Sequence, residues 1–280
     1  MLDQLIRRDL LDFLKEDVPF WDVSVTAVPD ATVIAQIEAK QAGVVAGLGI
    51  VEILFDMFNI KADFKANDGE ESHPTKVLAL LEGSSRTLLQ IERLCLNLLG
   101  RMSGIATSTR KIVKIAKNVN PEVKIAATRK TTPGFRLYEK LAVQIGGGDT
   151  HRFDLSDTVM LKDNHLSLFP DISDAMKAAR EVTSLYKKIE IEVKDEKEAL
   201  EAARAGADVV MLDNFSPAMI RKTITMIETE KLERPLLEAS GNINPSNVAE
   251  YASTGISVIS CGYITHSAQN LDISMKFKHH

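Results

Sequence analysis

Residues 188–214 read KIEIEVKDEKEALEAARAGADVVMLDN, and this stretch decides the fold class. Two short apolar runs, KIEIEV (188–193) and DVVML (208–212), enclose a helical segment at 195–206 that is rich in Ala and Glu. Apolar strands separated by helices are typical of a parallel sheet covered by helices. This single unit therefore predicts an α/β protein.

The same alternation extends on both sides of this unit, from about residue 123 onward. Further helices are predicted at 171–186 and 244–254. The six predicted strands are VKIAA (123–127), TVML (158–161), KIEIEV (188–193), DVVML (208–212), PLLEA (235–239) and SVISC (257–261). They lead into Thr128-Arg129-Lys130, Lys162-Asp163-Asn164-His165, Lys194-Asp195, Asp213-Asn214, Ser240-Gly241-Asn242 and Gly262-Tyr263. Polar residues at all six carboxyl ends favour an incomplete α/β barrel, because a doubly wound sheet concentrates its ligand site at one switch point.

Residues 1 to about 108 have a different pattern, and a domain boundary is expected near residue 108. A long helical stretch is predicted at 86–102, with a break at Ser103-Gly104 and a second helix at 105–118. The preceding runs predict a mixed or antiparallel sheet with one helix, namely strands at 31–40, 43–47, 61–67 and 76–83 and a helix at 51–58.

The composition is that of an ordinary globular protein, with 280 residues, 45% hydrophobic and 26% charged. A formal charge of −5 argues against general nucleic-acid binding. The cysteines, Cys95 and Cys261, are far apart and indicate a reducing compartment, and not a disulfide framework or a metal site. The amphipathic N-terminal segment has no apolar run long enough for a signal peptide or a membrane span, so a cytoplasmic location is expected. His279-His280 are given no function.

The stretch from Thr128 to His165 carries the strongest functional signal. A run of cations beside the Gly146-Gly147-Gly148 loop indicates a site for a small, multiply anionic molecule. The cations are Arg129, Lys130, Arg136, Lys140, His151, Arg152, Lys162 and His165.

Each of these features also has a structural interpretation. The glycine triplet could be a hinge or a point of close approach by a ligand or by backbone. Lys162 could place its ammonium in solvent at the end of an apolar strand, or form a Schiff base as in an aldolase. Glu192 alternates with its apolar neighbours, and Glu190 shares its direction but is expected to lie too deep to reach the site. Glu192 and Asp213 could bind Mg²⁺ or sugar hydroxyls, or form a salt bridge inside the barrel.

The segment after the fifth predicted strand resembles a phosphate-binding loop. Ser240-Gly241-Asn242 precedes a helix expected to open near Asn244-Pro245-Ser246, so small residues, free N–H groups and a helix N-terminus could surround a phosphate. Gly262 could complete the loop, and His266 could cap a helix or contact phosphate. An ordinary loop between strand and helix is the alternative.

Taken in order, these motifs resemble the quinolinate phosphoribosyltransferase family over nearly the whole chain. The matching segments are ERLCLNLLGRMSGIAT, TRKTTPGFRLYEK, GGGDTHR, MLKDNH, EIEV, MLDN, EASGNI and VISCGYITHS, with AKQAGVVAGLGIVEILF upstream. The resemblance implies an N-terminal α/β sandwich domain (1–108, rejoined by 268–280) and an incomplete α/β barrel domain (109–267). It also implies a homodimer, or a larger oligomer built from dimers, in which Arg93 enters the partner's active site.

The activity that the resemblance implies is transfer of phosphoribose from phosphoribosyl pyrophosphate to quinolinate. Pyrophosphate and CO₂ are lost, and the product is nicotinate mononucleotide, a precursor of NAD. The implied catalytic residues are Lys130, Glu192 and Asp213. The implied quinolinate-binding residues are Arg93, Arg129, Lys130, His151, Arg152 and Lys162. For phosphoribosyl pyrophosphate they are Lys130, Lys162, Glu192, Asp213, Ser240, Gly241, Asn242, Gly262 and His266. Glu192 and Asp213 would also hold Mg²⁺, directly or through water, and no organic cofactor is expected.

The chain departs from the family pattern at three places. Thr150 stands where Asn is common, Asn242 where a second glycine is common, and Trp21 before Asp22 where Gly is common. Three other functions are considered. They are a relative that accepts nicotinate or another ring acid, a barrel lyase with a Schiff base on Lys162, and a catalytically silent phosphate-binding protein. The six expected quinolinate-binding cations favour quinolinate over nicotinate, which has one carboxylate fewer.

Overall fold

The computed structural model describes residues 2–278, so His279 and His280 lie outside the described residues. The chain forms two compact units, and each is described by itself. One comprises Met1–Ser108 with Ala268–His280, and the other comprises Thr109–Ser267. Within residues 2–278, none of the helices combines the length and the apolar character that crossing a bilayer requires.

The first unit is built on an antiparallel sheet with the strand order β12-β1-β5-β3, in agreement with the expected antiparallel pattern. Alternation of apolar and polar residues in β1 buries Ala35, Ile37 and Ala39. The helices are α1 (Leu2–Asp17), α2 (Val23–Thr26), α3 (Leu48–Met57) and the start of α4. The strands are β1 (Thr32–Ala39), β2 (Gly43–Val44), β3 (Lys61–Phe64), β4 (Glu71–Ser72), β5 (Val77–Ser84) and β12 (Ile273–Phe277), with β2 and β4 paired separately.

The predicted break at Ser103-Gly104 is wrong, because α4 runs without interruption from Ser85 to Val119. The glycine serves close packing: a Cβ on Gly104 would lie 2.0 Å from the carbonyl oxygen of Gln269. The Ser103 hydroxyl donates to the carbonyl of Ala46 and accepts from its N–H. Long-range contacts, and not a change of local conformation, therefore explain this pair.

The second unit is a parallel six-stranded sheet with the order β6-β11-β10-β9-β8-β7. The first two strands of this unit, β6 and β7, lie at opposite edges of the sheet, which makes the barrel incomplete and confirms the predicted class. Its strands are β6 (Lys124–Ala126), β7 (Val159–Leu161), β8 (Ile189–Val193), β9 (Val209–Asp213), β10 (Leu236–Ser240) and β11 (Val258–Ser260). Its helices are α5 (Arg136–Ile145), α6 (Asp163–Leu166), α7 (Ile172–Val182), α8 (Glu196–Arg204), α9 (Pro217–Thr229), α10 (Val248–Ala252) and α11 (Tyr263–His266), together with the end of α4.

Capping side chains fix where the helices of the barrel begin. Asp195 accepts a hydrogen bond from the N–H of Glu198 at 2.9 Å, and Ser216 accepts one from Met219 at 3.3 Å. Each helix thus starts shortly after the preceding strand, so the residue that ends the strand stays at the carboxyl end of the barrel. This arrangement leaves the strand-end side chains available for a site.

Candidate active site

A cavity of about 580 Å³ lies at the carboxyl ends of the barrel strands. It brings together residues that the sequence places more than 100 positions apart, and all six strands contribute polar residues at or near their carboxyl ends. Its lining includes the predicted Arg129, Lys130, His151, Arg152, Lys162, Glu192, Asp213, Ser240, Gly241 and Asn242, together with Thr128, Asn214 and Glu238. A larger cavity of about 870 Å³ is lined at the amino ends of the strands by residues such as Lys124, Lys188 and Arg234, and it reaches inward to His151, Arg152, Glu190 and Glu238.

A smaller cavity of about 240 Å³ shares Lys130 and the 240–242 loop with the first, and it adds Gly262 and His266. The loop requires a glycine at 241, where φ is +105° and a Cβ would lie 2.9 Å from the backbone nitrogen of Asn214. Asn242, in place of the family's second glycine, adopts φ +51°, which asparagine tolerates. The departure at this position therefore leaves the loop intact.

The helix N-terminus expected at 244–246 is not there, because α10 begins only at Val248. The side chain of Asn244 accepts hydrogen bonds from the N–H and the hydroxyl of Ser246, at 2.9 and 2.6 Å. Asn247 accepts the N–H of Asn244 at 2.9 Å. These asparagines occupy N–H groups that were expected to be free, so the phosphate interpretation rests on 240–242, Gly262 and His266.

The cations of the larger site are arranged for an anion. Within residues 2–278, Nε of Arg129 is a buried donor without a hydrogen-bond partner. Burial lowers the pKa of Arg152, and the neighbouring charge of Arg129 lowers it further. Two guanidinium groups that repel each other beside an unsatisfied donor are stabilised by an anion between them.

The two predicted carboxylates lie at the ends of neighbouring strands. Glu192 is three-quarters or more buried and forms an ion pair with Lys162, and Asp213 accepts from the side chain of Asn214 at 2.8 Å. Two carboxylates that line one cavity are a donor set that suits Mg²⁺. The ion pair also bears on the Schiff-base alternative, because the Lys162 nitrogen is already engaged with a carboxylate, whereas attack on a carbonyl requires a free amine.

Deeper in the barrel lies a cluster that the sequence interpretation did not include as a whole. Nε2 of His151 lies 3.1 Å from Oε2 of Glu238 and 3.9 Å from Oε2 of Glu190, and both glutamates are 2% exposed. Burial raises the pKa of Glu190 to about 8, and the nearby charge of Glu238 raises it in the same direction. Glu190 therefore stays deep, as expected, while Glu238 lines the site and was missed.

The signal for Glu238 was present in the sequence. It lies two residues before Ser240 in β10, so alternation along the strand gives both side chains the same direction. The same argument was applied only to β8.

Three cations of the predicted cluster have structural partners instead. Lys140 is fully buried and donates to the carbonyls of Thr150 and Arg152, the latter at 3.0 Å. Arg136 donates to the Thr131 hydroxyl at 3.1 Å, and His165 accepts the N–H of Lys162 at 3.0 Å within the cap of α6. Their side chains shape the loops and do not line the 580 Å³ cavity.

The glycine triplet at 146–148 also lies outside the lining of that cavity. A Cβ on Gly148 would lie 2.8 Å from Thr109, 2.9 Å from Val143 and 3.3 Å from the carbonyl oxygen of Ile125. The chain itself, and not a ligand, makes the close approach. Arg93 belongs to the other unit, where it is exposed on α4.

An incomplete parallel barrel with cations, two carboxylates and a glycine-containing loop at the carboxyl ends of its strands defines an enzyme that acts on anionic substrates. Comparison with known proteins specifies the class. Residues 22–103 match the N-terminal domain of quinolinate phosphoribosyl transferase, and residues 105–276 match its C-terminal domain. The chain belongs to the quinolinate phosphoribosyltransferase family.

Individual relatives agree over nearly their whole lengths. The probable nicotinate-nucleotide pyrophosphorylase (carboxylating) of Archaeoglobus fulgidus is 50% identical over 260 residues, which cover 92% of this chain and 99% of the relative. The corresponding protein of Rattus norvegicus is 38% identical, with 94% of this chain and 88% of the relative covered. The structure of nicotinate-nucleotide pyrophosphorylase from Francisella tularensis superposes with a TM-score of 0.92 at 31% identity, covering 99% of this chain and 97% of that one.

Proposed function

We propose that this enzyme transfers phosphoribose from phosphoribosyl pyrophosphate to the ring nitrogen of quinolinate and releases pyrophosphate, CO₂ and nicotinate mononucleotide in NAD biosynthesis. The observation that carries this proposal is the cavity of about 580 Å³, whose lining combines two guanidinium groups, His151 and Lys162 with two carboxylates. The family and the named relatives support the same reaction. The mechanism follows from the residues that line the cavity.

Quinolinate carries two adjacent carboxylates, and the cationic side of the cavity suits them. Arg129 offers a buried, unpartnered N–H, and burial together with the charge of Arg129 lowers the pKa of Arg152. Charge-assisted hydrogen bonds from these groups would fix the ring, with His151 and Lys162 as further donors. Nicotinate has one carboxylate and would leave part of this set unpaired.

Phosphoribosyl pyrophosphate would bind toward the smaller cavity. The backbone of 240–242, Gly262 and the exposed His266 would hold phosphate, and Lys130 lies where the two cavities adjoin. Glu192 and Asp213 would bind ribose hydroxyls and Mg²⁺, directly or through water. When bound, the ion would neutralise the leaving pyrophosphate. The two carboxylates would stabilise the cationic sugar of the transition state, as carboxylates do in glycoside hydrolysis.

Decarboxylation would follow at the ring carbon next to the new glycosidic bond. The pyridinium nitrogen accepts the electrons that CO₂ leaves behind, so no organic cofactor is proposed. Lys130 is proposed to lie nearest to this carbon, where its charge would stabilise the carbanion. Its exposed position on the cavity edge allows the ammonium to reach both substrates.

A homodimer is proposed in which Arg93 of one subunit completes the active site of the other. The exposed position of Arg93 on α4 and the family resemblance support this arrangement. The free, buried Cys95 and Cys261 suit the reducing cytoplasm, which is the proposed location. Sedimentation of the wild type, and mixing of an Arg93→Ala protein with a Lys130→Ala protein, test the dimer. Activity should reappear in the mixture, because each hybrid dimer contains one intact site. Mixtures as inactive as both parents would contradict a shared site.

The acceptor is tested with quinolinate, phosphoribosyl pyrophosphate and Mg²⁺, by measuring CO₂ and nicotinate mononucleotide in the same samples. Equal amounts of both are expected, with no turnover when Mg²⁺ is chelated. Nicotinate is the matched control substrate. Mononucleotide from nicotinate, with none from quinolinate, would keep the phosphate site and reject the acceptor. Borohydride trapping with carbonyl substrates should give no adduct on Lys162, and an adduct would favour the lyase.

A further inference from the structure

We propose that His151 is the acid that protonates the ring carbon from which CO₂ departs, and that Glu238 is the residue that positions it. This proposal rests on the function proposed above. The observation is the buried contact between Nε2 of His151 and Oε2 of Glu238, at 3.1 Å, in the wall of the cavity of about 580 Å³. Glu238 belongs to neither substrate's expected binding set, so the contact gives it a separate role.

The hydrogen bond determines which ring nitrogen serves the substrate. With Glu238 ionised, the N–H at Nε2 donates to its carboxylate, as in other pairs of histidine and carboxylate. Within residues 2–278, no protein group forms a hydrogen bond with Nδ1 of His151. Nδ1 is therefore the ring nitrogen left without a protein partner, and in this proposal it donates to the substrate.

The backbone around His151 is held in an uncommon conformation. His151 has φ +54°, and its N–H donates to Oδ1 of Asp149 at 2.7 Å. Buried Lys140 binds the carbonyls of Thr150 and Arg152, which flank the histidine on both sides. A left-handed, non-glycine residue fixed on both sides is typical of a side chain that function places.

The surrounding charges favour the protonated form of the imidazole. Burial works to lower the pKa of His151, but the hydrogen bond to Glu238 and the charges of Glu238 and Glu190 outweigh it, so the pKa is raised. Lys140 acts in the opposite direction with a smaller effect. The net result favours the imidazolium, which is the form that can give up a proton.

The proton and the electrons balance in one step. The bond between the ring carbon and its carboxylate breaks, CO₂ leaves, and the electron pair stays on the carbon. That pair takes the proton from Nδ1, and the electrons of the N–H bond remain on Nδ1. His151 is then neutral, with its N–H at Nε2 still bonded to Glu238, and water in the cavity returns one proton after the product leaves.

The same three side chains, His151, Glu190 and Glu238, have donor atoms within 4.8 Å of one another, which is also the spacing of a metal site. The charges around this cluster favour binding of a proton over binding of a metal ion. Arg152 interacts with both glutamates, and Lys140 interacts with His151, so a divalent cation would be repelled by two fixed cations.

The test separates phosphoribosyl transfer from protonation in a single turnover. Glu238→Gln keeps the shape but removes the carboxylate, so pyrophosphate release should stay near the wild-type rate. Nicotinate mononucleotide should form about tenfold more slowly or worse. Quinolinate mononucleotide should accumulate, because a carbanion without a proton donor recaptures CO₂. The solvent isotope effect on the slow phase should rise, and Glu238→Asp should restore part of the rate.

Glu122→Gln is the matched control, since Glu122 is exposed near the amino end of β6, does not line the cavity of about 580 Å³ and should leave both phases unchanged. Lys130→Ala should slow turnover without a larger solvent isotope effect. Equal loss of pyrophosphate and mononucleotide in Glu238→Gln, with an unchanged isotope effect, would overturn the proposal. If circular dichroism shows that Glu238→Gln does not fold, Glu238→Asp is judged by the same criterion. A wild type that forms neither product would instead reject the proposed function.

Discussion

The two ends of the barrel use similar residues for different purposes. At the amino end, Asp208 accepts the N–H of Ile189 at 2.7 Å and pairs with Arg180 at 2.9 Å. At the carboxyl end of the same strand, β9, Asp213 has only its neighbour Asn214 as a hydrogen-bond donor among the described residues. The carboxylate at the amino end thus supports the backbone, whereas the carboxylate at the carboxyl end is available to a ligand.

Backbone conformation shows the same contrast. Gly206 and Gly255 have positive φ in loops at the amino end, and a Cβ on either would meet nothing within 4 Å. Gly241 has positive φ at the carboxyl end, where a Cβ would collide with Asn214, itself at φ +55°. Conformational freedom alone explains the first two glycines, whereas the third also depends on close packing around a site. Matched substitutions at the two ends can test whether this division holds.

The largest difference is expected between Lys130, which follows β6, and Lys124, which begins it. Lys130→Ala should lower kcat by about 10²- to 10³-fold, because it removes the charge proposed to stabilise the carbanion. Lys124→Ala, at the amino end, should change kcat by no more than about twofold, since that side chain is exposed. Steady-state kinetics with quinolinate measure both. Full turnover of Lys130→Ala, with unchanged substrate affinity, would show that the assignment is wrong.

The two aspartates that flank β9 should differ by a somewhat smaller factor. Asp213→Asn should lower kcat by about 10²-fold and weaken the apparent affinity for Mg²⁺, because one carboxylate is lost from the proposed metal set. Asp208→Asn should instead cost about 1 kcal/mol of unfolding free energy, with kcat nearly unchanged. Mg²⁺ titrations of activity and urea unfolding distinguish the two. Similar losses of stability in both variants, without a change in Mg²⁺ dependence, would remove the contrast.

The pattern of strand ends could be predicted from sequence because it depends on local periodicity. Alternation in KIEIEV gave Glu190 and Glu192 the same direction, and position along the strand distinguished Glu192, which lines the site, from Glu190, which lies deeper. The order of apolar runs and polar strand ends was enough to predict an incomplete barrel, and the structure has that architecture. The same alternation in LLEAS (236–240) also indicates that Glu238 points toward the site, as Ser240 does.

Features that depend on long-range packing could not be predicted in this way. Gly104 suggested a helix break, but the glycine is required where residue 269 passes α4. Lys140 counted as a candidate ligand-binding cation, yet burial and two carbonyl partners give it a structural role. Neither the crossing segment nor the depth of a lysine is encoded in nearby residues.

The matched glycines should show an effect of about tenfold. Gly241→Ala should raise KM for phosphoribosyl pyrophosphate by about that factor, because its Cβ displaces Asn214 and the loop proposed to hold phosphate. Gly255→Ala should cost about 1 kcal/mol of stability for the left-handed conformation and leave KM unchanged. Kinetics and urea unfolding of each variant measure these effects. An unchanged KM in Gly241→Ala would contradict a phosphate site in this loop.

The smallest effect concerns Lys140, which supports the carboxyl end from inside the unit. Burial lowers its pKa from the usual 10.5 to about 8, and the charge of Arg136 contributes. Between about pH 8 and 10.5 the folded protein therefore holds fewer protons at this group than the unfolded chain does. Stability attributable to Lys140 must then rise with pH over this window, by roughly 1 kcal/mol or more, and be independent of pH below it.

Urea unfolding from pH 7 to 10.5 checks this prediction by difference. Lys140→Met removes the titrating group together with its bonds to the carbonyls of Thr150 and Arg152, so it should be less stable at every pH. The difference in unfolding free energy between the wild type and Lys140→Met should widen above pH 8. Lys117→Met, at an exposed position, should have the same pH dependence as the wild type throughout. Parallel curves for Lys140→Met would mean that the buried ammonium keeps its ordinary pKa. The loop that carries His151 and Arg152 would then be held by a lysine that pays no desolvation cost, and its support would be stronger than burial implies.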